Sequence, residues 1–282
     1  MKKIHYKLKR LHLFVKELRE MKPVTDKKTF WKFIWAIIVT TPQNIQRGNV
    51  NAAFDKMIGE KCVFKVCGKS VILDGKWLGY AMGSYIRPDY FLPPHFVLKP
   101  GMTVVDLGAT AGDFAILAAL VCDRVIAVEA KADSVEEMKK NAELNQCSDK
   151  IIAIHGIVGP KSGFSTDTEK GGEGEIFRKH LENNPPMPPH ISLNDLLSRY
   201  NIDKVDFLKM DIEGSEFDLF SRDTEWLPKV DKIAAEVHSK FGDLNLLAEQ
   251  LRKHGFEVSL VVDKGKTTVY GIGKELLYAR RV

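Results

Sequence analysis

The chain has 282 residues, 44% of them apolar and 28% charged, a balance that can bury a real core and excludes general disorder. No apolar run approaches the roughly 20 residues of a bilayer-spanning helix, and no apolar run near the start is followed by a small-residue cleavage site, so neither a membrane span nor a secretory leader is expected. The formal net charge of +5 is unevenly placed: residues 1–33 hold eleven Lys/Arg against three Asp/Glu, which leaves the remainder mildly acidic.

In chain order, Ile4, Leu8, Leu11, Val15 and Leu18 recur at helical spacing among lysines and arginines, so residues 2–21 read as an amphipathic basic helix. A second helix follows Pro23, with Thr25 as candidate N-cap, carries Trp31, Phe33 and Trp35, and ends before Pro42. Residues 61–74 read as a hairpin turning at Cys67-Gly68-Lys69. Cys62, Cys67, Cys122 and Cys147 form no CxxC pair, which favours reduced thiols in a cytoplasmic protein over a zinc framework.

From Leu98 onward strand-like and helix-like segments alternate: TVVDL, ATAGDFAILAALV, RVIAVE, KADSVEEMKKNAELN and KIIAIHG. After an interruption come ISLNDLLSRY, VDFLKMDI, GSEFDLF, KIAAEVH, LNLLAEQLRKHG and EVSLVV, and TTVYGIG and LLYAR can add strands at the end. This alternation predicts an α/β fold with a mostly parallel sheet and helices on both faces. The interruption, residues 160–190, is rich in Gly, Pro and charge and reads as a long insert loop that shapes or covers a site. The expected organisation is a basic helical extension over 1–58, a hairpin and connecting segment over 59–97, and the main domain over 98–282.

The chemistry concentrates at Asp106-Leu107-Gly108-Ala109-Thr110-Ala111-Gly112. An apolar strand ends in an acid, and a Gly turn opens a helix whose N–H groups are free to meet a ligand. A second strand ends in Glu129, where a carboxylate can accept hydrogen bonds from both hydroxyls of a ribose. A dinucleotide enzyme would want GxGxxG, whereas this chain offers GxxxG preceded by Asp106, which repels a pyrophosphate and suits an ammonium. The pattern favours S-adenosylmethionine over NAD.

At these residues the chain resembles the FkbM family of S-adenosylmethionine-dependent methyltransferases. The likeness runs over roughly residues 98–260, and its most distinctive piece is Lys209-Met210-Asp211-Ile212-Glu213-Gly214-Ser215-Glu216. It implies a seven-stranded, Rossmann-like class I methyltransferase fold and O-methylation of a hydroxyl, often on a sugar or secondary metabolite. The chain departs from the family pattern in having Thr110 where Asn is usual, Ile86 after Tyr85 where Glu is frequent, Ala130 after Glu129 where Pro is typical, and His155 where Asn is frequent.

The expected cofactor contacts are Asp106, Gly108, Ala109, Thr110, Gly112, Glu129 and His155, the last near the adenine. Asp211, Glu213 and His238 fall at neighbouring strand ends, where ligands bind in such sheets, and are the candidate catalytic residues. Asp211 is expected to face the acceptor or the cofactor's amino group. His238 is the preferred general base for removing the acceptor's proton, with Glu213 or Glu236 orienting it. Glu216 reads as a first-turn acid, Ser215 with Asp218 as a capping box, and Asp206 as structural. The same strand-edge trio could instead hold a divalent cation, although no metal is assigned. The expected acceptor is a hydroxyl of a small molecule or glycan. The competing readings are an RNA methyltransferase using the basic N-terminus and a non-catalytic adapter. Membrane contact is expected to be at most peripheral.

Overall fold

The computed structural model describes residues 15–16, 18–47, 51–86, 89–159, 188–263 and 274–282. Most of the basic helix expected over 2–21, most of the insert loop and the segment TTVYGIG lie outside the described residues. Residues 18–24 are helical, and helix α1 follows at Lys27–Val39. Its N-cap is Asp26 rather than Thr25: the Asp26 side chain accepts from the Thr29 N–H at 2.7 Å. Thr25 instead bridges to Phe64 and donates its hydroxyl to the Met21 carbonyl at 2.9 Å. Two short helices, α2 (Thr41–Arg47) and α3 (Asn51–Asp55), lead into the hairpin β1 (Lys61–Val66) and β2 (Lys69–Asp74). Its two-residue turn places Cys67 and Gly68 at φ +50° and +72°, the left-handed pair that matches the twist of a tight hairpin. A 3₁₀ turn at Gly75–Trp77 and helix α4 (Leu78–Ile86) complete this part.

The main domain alternates as expected. It runs β3 (Thr103–Leu107), α5 (Asp113–Val121), β4 (Arg124–Glu129), α6 (Ala132–Leu144), β5 (Ile151–His155), β6 (Ile157–Gly159), β7 (His190–Ser192), α7 (Leu193–Arg199), β8 (Phe207–Met210), α8 (Glu216–Ser221), β9 (Lys232–Glu236), α9 (Leu244–Lys253), β10 (Phe256–Asp263) and β11 (Lys274–Arg281). Seven strands form one sheet in the order β10-β11-β9-β8-β3-β4-β5. The strands from β9 to β5 are parallel, and β11 is antiparallel to both of its neighbours. β6 and β7 pair in a small parallel ladder of their own. The sheet therefore has the class I methyltransferase arrangement, and the chain leaves central β3 toward β4 on one side and reaches β8 on the other. Such a reversal opens a crevice above the strand ends.

Strand alternation sends side chains to two cores. Val104, Phe207 and Ala234 pack with α5, the hairpin and the N-terminal residues Met21, Phe33 and Ala36 in one cluster. Val105, Leu107, Leu208 and Met210 pack with α7, α8 and α9 in the other. The N-terminal residues from Met21 onward thus share a core with the sheet. Phe33 is fully buried, which is worth about 2–3 kcal/mol. Trp31 and Trp35, on the other face of α1, remain 64% and 62% exposed.

Candidate active site

At the end of β3 the backbone turns at Gly108 with φ +75°. A Cβ there would lie 1.8 Å from the Asp211 carbonyl oxygen, so glycine is required both by conformation and by the approach of β8. The N–H groups of Gly108 and Ala109 both donate to the Val128 carbonyl, at 2.9 and 3.0 Å. Gly112, at φ +85°, caps α5 where Met138 leaves no room for a side chain. Between them Thr110 has φ +50°, which Asn adopts readily and a β-branched residue adopts at a cost. The Asn usual in the family therefore suits this backbone better than the Thr found here.

Glu129 fastens the turn. Its Oε2 accepts from the Thr110 N–H at 2.9 Å and its Oε1 from the Lys131 N–H at 2.8 Å. Each oxygen keeps a second lone pair, and the residue is almost fully buried. A cavity of about 360 Å³ opens beside it, within the usual range for small-ligand sites. Gly108, Thr110, Glu129, Asp211 and Glu213 all line it, as do Trp77 and Tyr80. The two aromatic rings, 5.5 Å apart, come from the 3₁₀ turn and α4, ahead of the motif-bearing domain.

Four expected cofactor contacts are not part of this lining. Ala109 and Gly112 shape the turn from behind. His155 is exposed at the end of β5, and its Nε2–H donates to the Ala130 carbonyl at 3.0 Å. Asp106 requires a correction: it faces the core beneath the turn, fully buried, and not an ammonium in the cavity. β3 and β8 pair with Asp106 opposite Lys209, which sets their side chains on one face. Lys209 Nζ lies 3.0 Å from Asp106 Oδ1 and donates to the Gly108 carbonyl at 2.8 Å. Burial pushes the Asp106 carboxyl up to about 6, against the pull of Lys209. The lysine of the distinctive run thus ties the Gly turn to β8.

Asp211, Glu213 and His238 do converge. One carboxylate oxygen or ring nitrogen from each lies within 4.8 Å of the others. Asp211 Oδ2 accepts from the Tyr90 hydroxyl at 3.1 Å. Burial, then the charge of Asp211, raises the Tyr90 phenol well above its ordinary value, so it stays a donor. His238 Nδ1–H donates to Glu216 Oε1 at 3.1 Å, and Nε2 sits 3.6 Å from Glu213 Oε2. Glu216, fully buried, also accepts from the Ile212 N–H at 3.2 Å, while its Oε2 is buried with no hydrogen-bond partner among the described residues.

Glu216 is an acid of the first turn of α8 as expected, and it, rather than Glu213 or Glu236, is also the hydrogen-bonded orienter of Nδ1. Burial alone would lower the His238 pKa. The bond to Glu216 and the charges of Glu216, Asp211 and Glu213 outweigh that and push it up to about 9. At neutral pH the ring is an imidazolium, which cannot serve as a general base in that state. Ser215 makes no side-chain capping bond, so the expected capping box is absent from α8. Asp206 is structural as expected: its Oδ2 accepts from the Thr103 N–H at 2.8 Å and it pairs with Lys204.

The Methyltransferase FkbM domain matches residues 106–258, more than half of the chain. The chain belongs to the FkbM methyltransferase family. It is an enzyme of that family, and S-adenosylmethionine is its methyl donor. Several solved structures resemble the FkbM chain at low identity. A precorrin-6y C5,15-methyltransferase from Geobacter metallireducens is 11% identical, over 66% of this chain and 82% of that one, with a TM-score of 0.38. Trm5b from Pyrococcus abyssi is 14% identical, over 78% and 55%, with a TM-score of 0.41. The N-terminal domain of human METTL16 is 18% identical, over 64% and 61%, with a TM-score of 0.40. No curated protein matches the chain in sequence. The residues of this FkbM site fit the donor: Glu129 retains lone pairs for ribose hydroxyls, and Trp77 and Tyr80 offer ring faces and edges beside the same cavity.

Proposed function

We propose that the enzyme methylates a hydroxyl oxygen on a small molecule or glycan. The observation that carries this reading is the placement of Asp211 and Glu213 in the lining of the cavity that Gly108, Thr110 and Glu129 also border. S-Adenosylmethionine supplies an electrophilic methyl group on a sulfonium centre. Glu129 and the Gly108 turn hold the nucleoside end, and alignment of the acceptor oxygen provides much of the acceleration. The hydroxyl must also lose its proton, and Asp211, held by Tyr90, is the carboxylate available to orient that O–H or receive the proton. A lining with the carboxylates of Glu129, Asp211 and Glu213 against the single ammonium of Lys131 favours neutral or cationic acceptors over a phosphate backbone, which supports the small-molecule reading over RNA. The four cysteines are free thiols, three of them buried, which supports a reducing cytoplasmic setting.

Methyl-labelled donor offered with separate pools of glycans, hydroxylated small molecules and RNA tests the assignment. Label is expected as an alkali-stable ether in one of the first two pools. Label on nitrogen, or in RNA alone, refutes it.

A further inference from the structure

Three carboxylates, those of Asp211, Glu213 and Glu216, gather around a single imidazole, and the methyl-transfer reading accounts for only part of this arrangement. We infer that Asp211, Glu213 and His238 form a binding site for one divalent cation of the Mg²⁺ or Mn²⁺ class, bordering the cofactor cavity. The inference rests on the O-methylation reading for its purpose but not for its geometry.

The donor atoms have a suitable spacing. Ligands about 2.1–2.5 Å from an ion lie about 3–3.5 Å apart when adjacent and up to about 5 Å apart when opposite. Here all three donors fall within 4.8 Å of one another, and His238 Nε2 lies 3.6 Å from Glu213 Oε2. The surrounding shell is also that of a metal centre. A ligating histidine characteristically gives its other ring N–H to a carboxylate, and ligating carboxylates are themselves hydrogen-bonded. His238 Nδ1–H goes to the fully buried Glu216, which leaves Nε2 turned toward Glu213. Asp211 is held by the buried Tyr90 hydroxyl. Glu216 adds a second observation beside the ring: its Oε2 is buried without a hydrogen-bond partner among the described residues. In the metal-free protein the His238 imidazolium balances this carboxylate, and a bound cation would take over that role when the ring gives up its Nε2 proton.

Two carboxylates and one imidazole favour an oxygen-preferring divalent ion, and imidazole makes Mn²⁺ a suitable probe. The ion takes the place of the Nε2 proton, so binding releases one proton. Three protein donors leave about three positions of an octahedron open. An acceptor with a second oxygen beside its reacting hydroxyl, such as a vicinal diol or a hydroxy acid, could occupy two of them. Coordination acidifies the hydroxyl. Asp211 then serves as a ligand in place of the proton acceptor of the metal-free reading: the O–H bond breaks with the proton passing to water, an O–CH₃ bond forms as the S–CH₃ bond breaks, and the donor leaves as the neutral thioether.

The test uses the whole protein and Mn²⁺ alone, followed by loss of the free-ion paramagnetic resonance signal. One saturable site is expected, with a Kd between about 10 µM and 1 mM. Glu213→Gln and His238→Gln should each weaken it about tenfold or more, and Glu216→Gln, acting through the ring, about tenfold. Titration with S-adenosylhomocysteine in the absence of metal reads the cofactor site separately and shows that each variant is folded. If His238→Gln does not fold, the half-exposed Glu213 carries the test alone. Absence of saturable Mn²⁺ binding, or binding unchanged in Glu213→Gln, overturns the inference. The methyltransferase reading stands in that case if S-adenosylhomocysteine still binds.

Discussion

Glu129→Gln separates two duties that the carboxylate performs at once. The substitution is nearly isosteric, but an amide has only one acceptor oxygen. Both Glu129 oxygens receive backbone N–H groups, from Thr110 at 2.9 Å and Lys131 at 2.8 Å, so the new NH₂ must face one of those donors. One charge-assisted hydrogen bond is lost and the other becomes neutral, a stability cost of about 2 kcal/mol. The ribose hydroxyls also lose a charged acceptor. At about 1.5 kcal/mol or more, that loss weakens cofactor binding at least about tenfold. Calorimetric titration with S-adenosylhomocysteine measures the second effect, and urea denaturation without ligand measures the first. If stability falls while the cofactor affinity of the folded protein is unchanged, the carboxylate serves only the turn and the ribose assignment is refuted.

Two further expectations concern pH and surfaces. The His238 pKa is raised to about 9 in the folded protein, so the ring's stabilising contribution is complete below its ordinary value of 6.5 and is lost as pH rises through about 9. At about 1.4 kcal/mol per unit, metal-free protein should lose about 2–3 kcal/mol across that window, and Glu216→Gln should flatten the slope; equal slopes in urea melts of both proteins would contradict the pairing. Trp31 and Trp35 lie exposed on α1 beside lysines, so anionic vesicles should sediment the protein weakly at low salt and release it at physiological salt. Paired Trp31→Ser and Trp35→Ser changes should abolish that contact, and tight binding to neutral vesicles would show that more than a peripheral contact is made.

What could be read from the sequence depended on how local its cause was. The hairpin follows from two short apolar runs around Cys67-Gly68, and β3 and β4 from buried runs closed by Gly108 and Glu129. The paired strand edge bearing Asp211 and His238 could be read because parallel strands present their carboxyl ends together. The partner of Asp106 could not, because it depends on the register that sets Lys209 opposite it, 103 residues along the chain. Glu216 looks like a helix-start acid until β9 brings His238 to it from 22 residues away. Trp77 and Tyr80 belong to no motif and reach the cavity only because the hairpin packs on α5 and α6, carrying the following turn with it. His155 has the expected strand position, but its ring hydrogen bond runs to Ala130.

The contact between Gly108 and the Asp211 carbonyl ties together the two strand ends proposed to serve the donor and the acceptor. The Gly108 turn and the backbone of Asp211 touch with no room for one more carbon atom. The Lys209 bond to the Gly108 carbonyl adds a second fastening between the same two strand ends. A donor bound at the turn and an acceptor bound beside Asp211 would share this wall, and any coupling of their affinities would run through it. Such coupling is reciprocal: by whatever factor bound donor changes the affinity for acceptor, bound acceptor changes the affinity for donor. The two ligands therefore help or hinder each other to the same degree, whichever binds first.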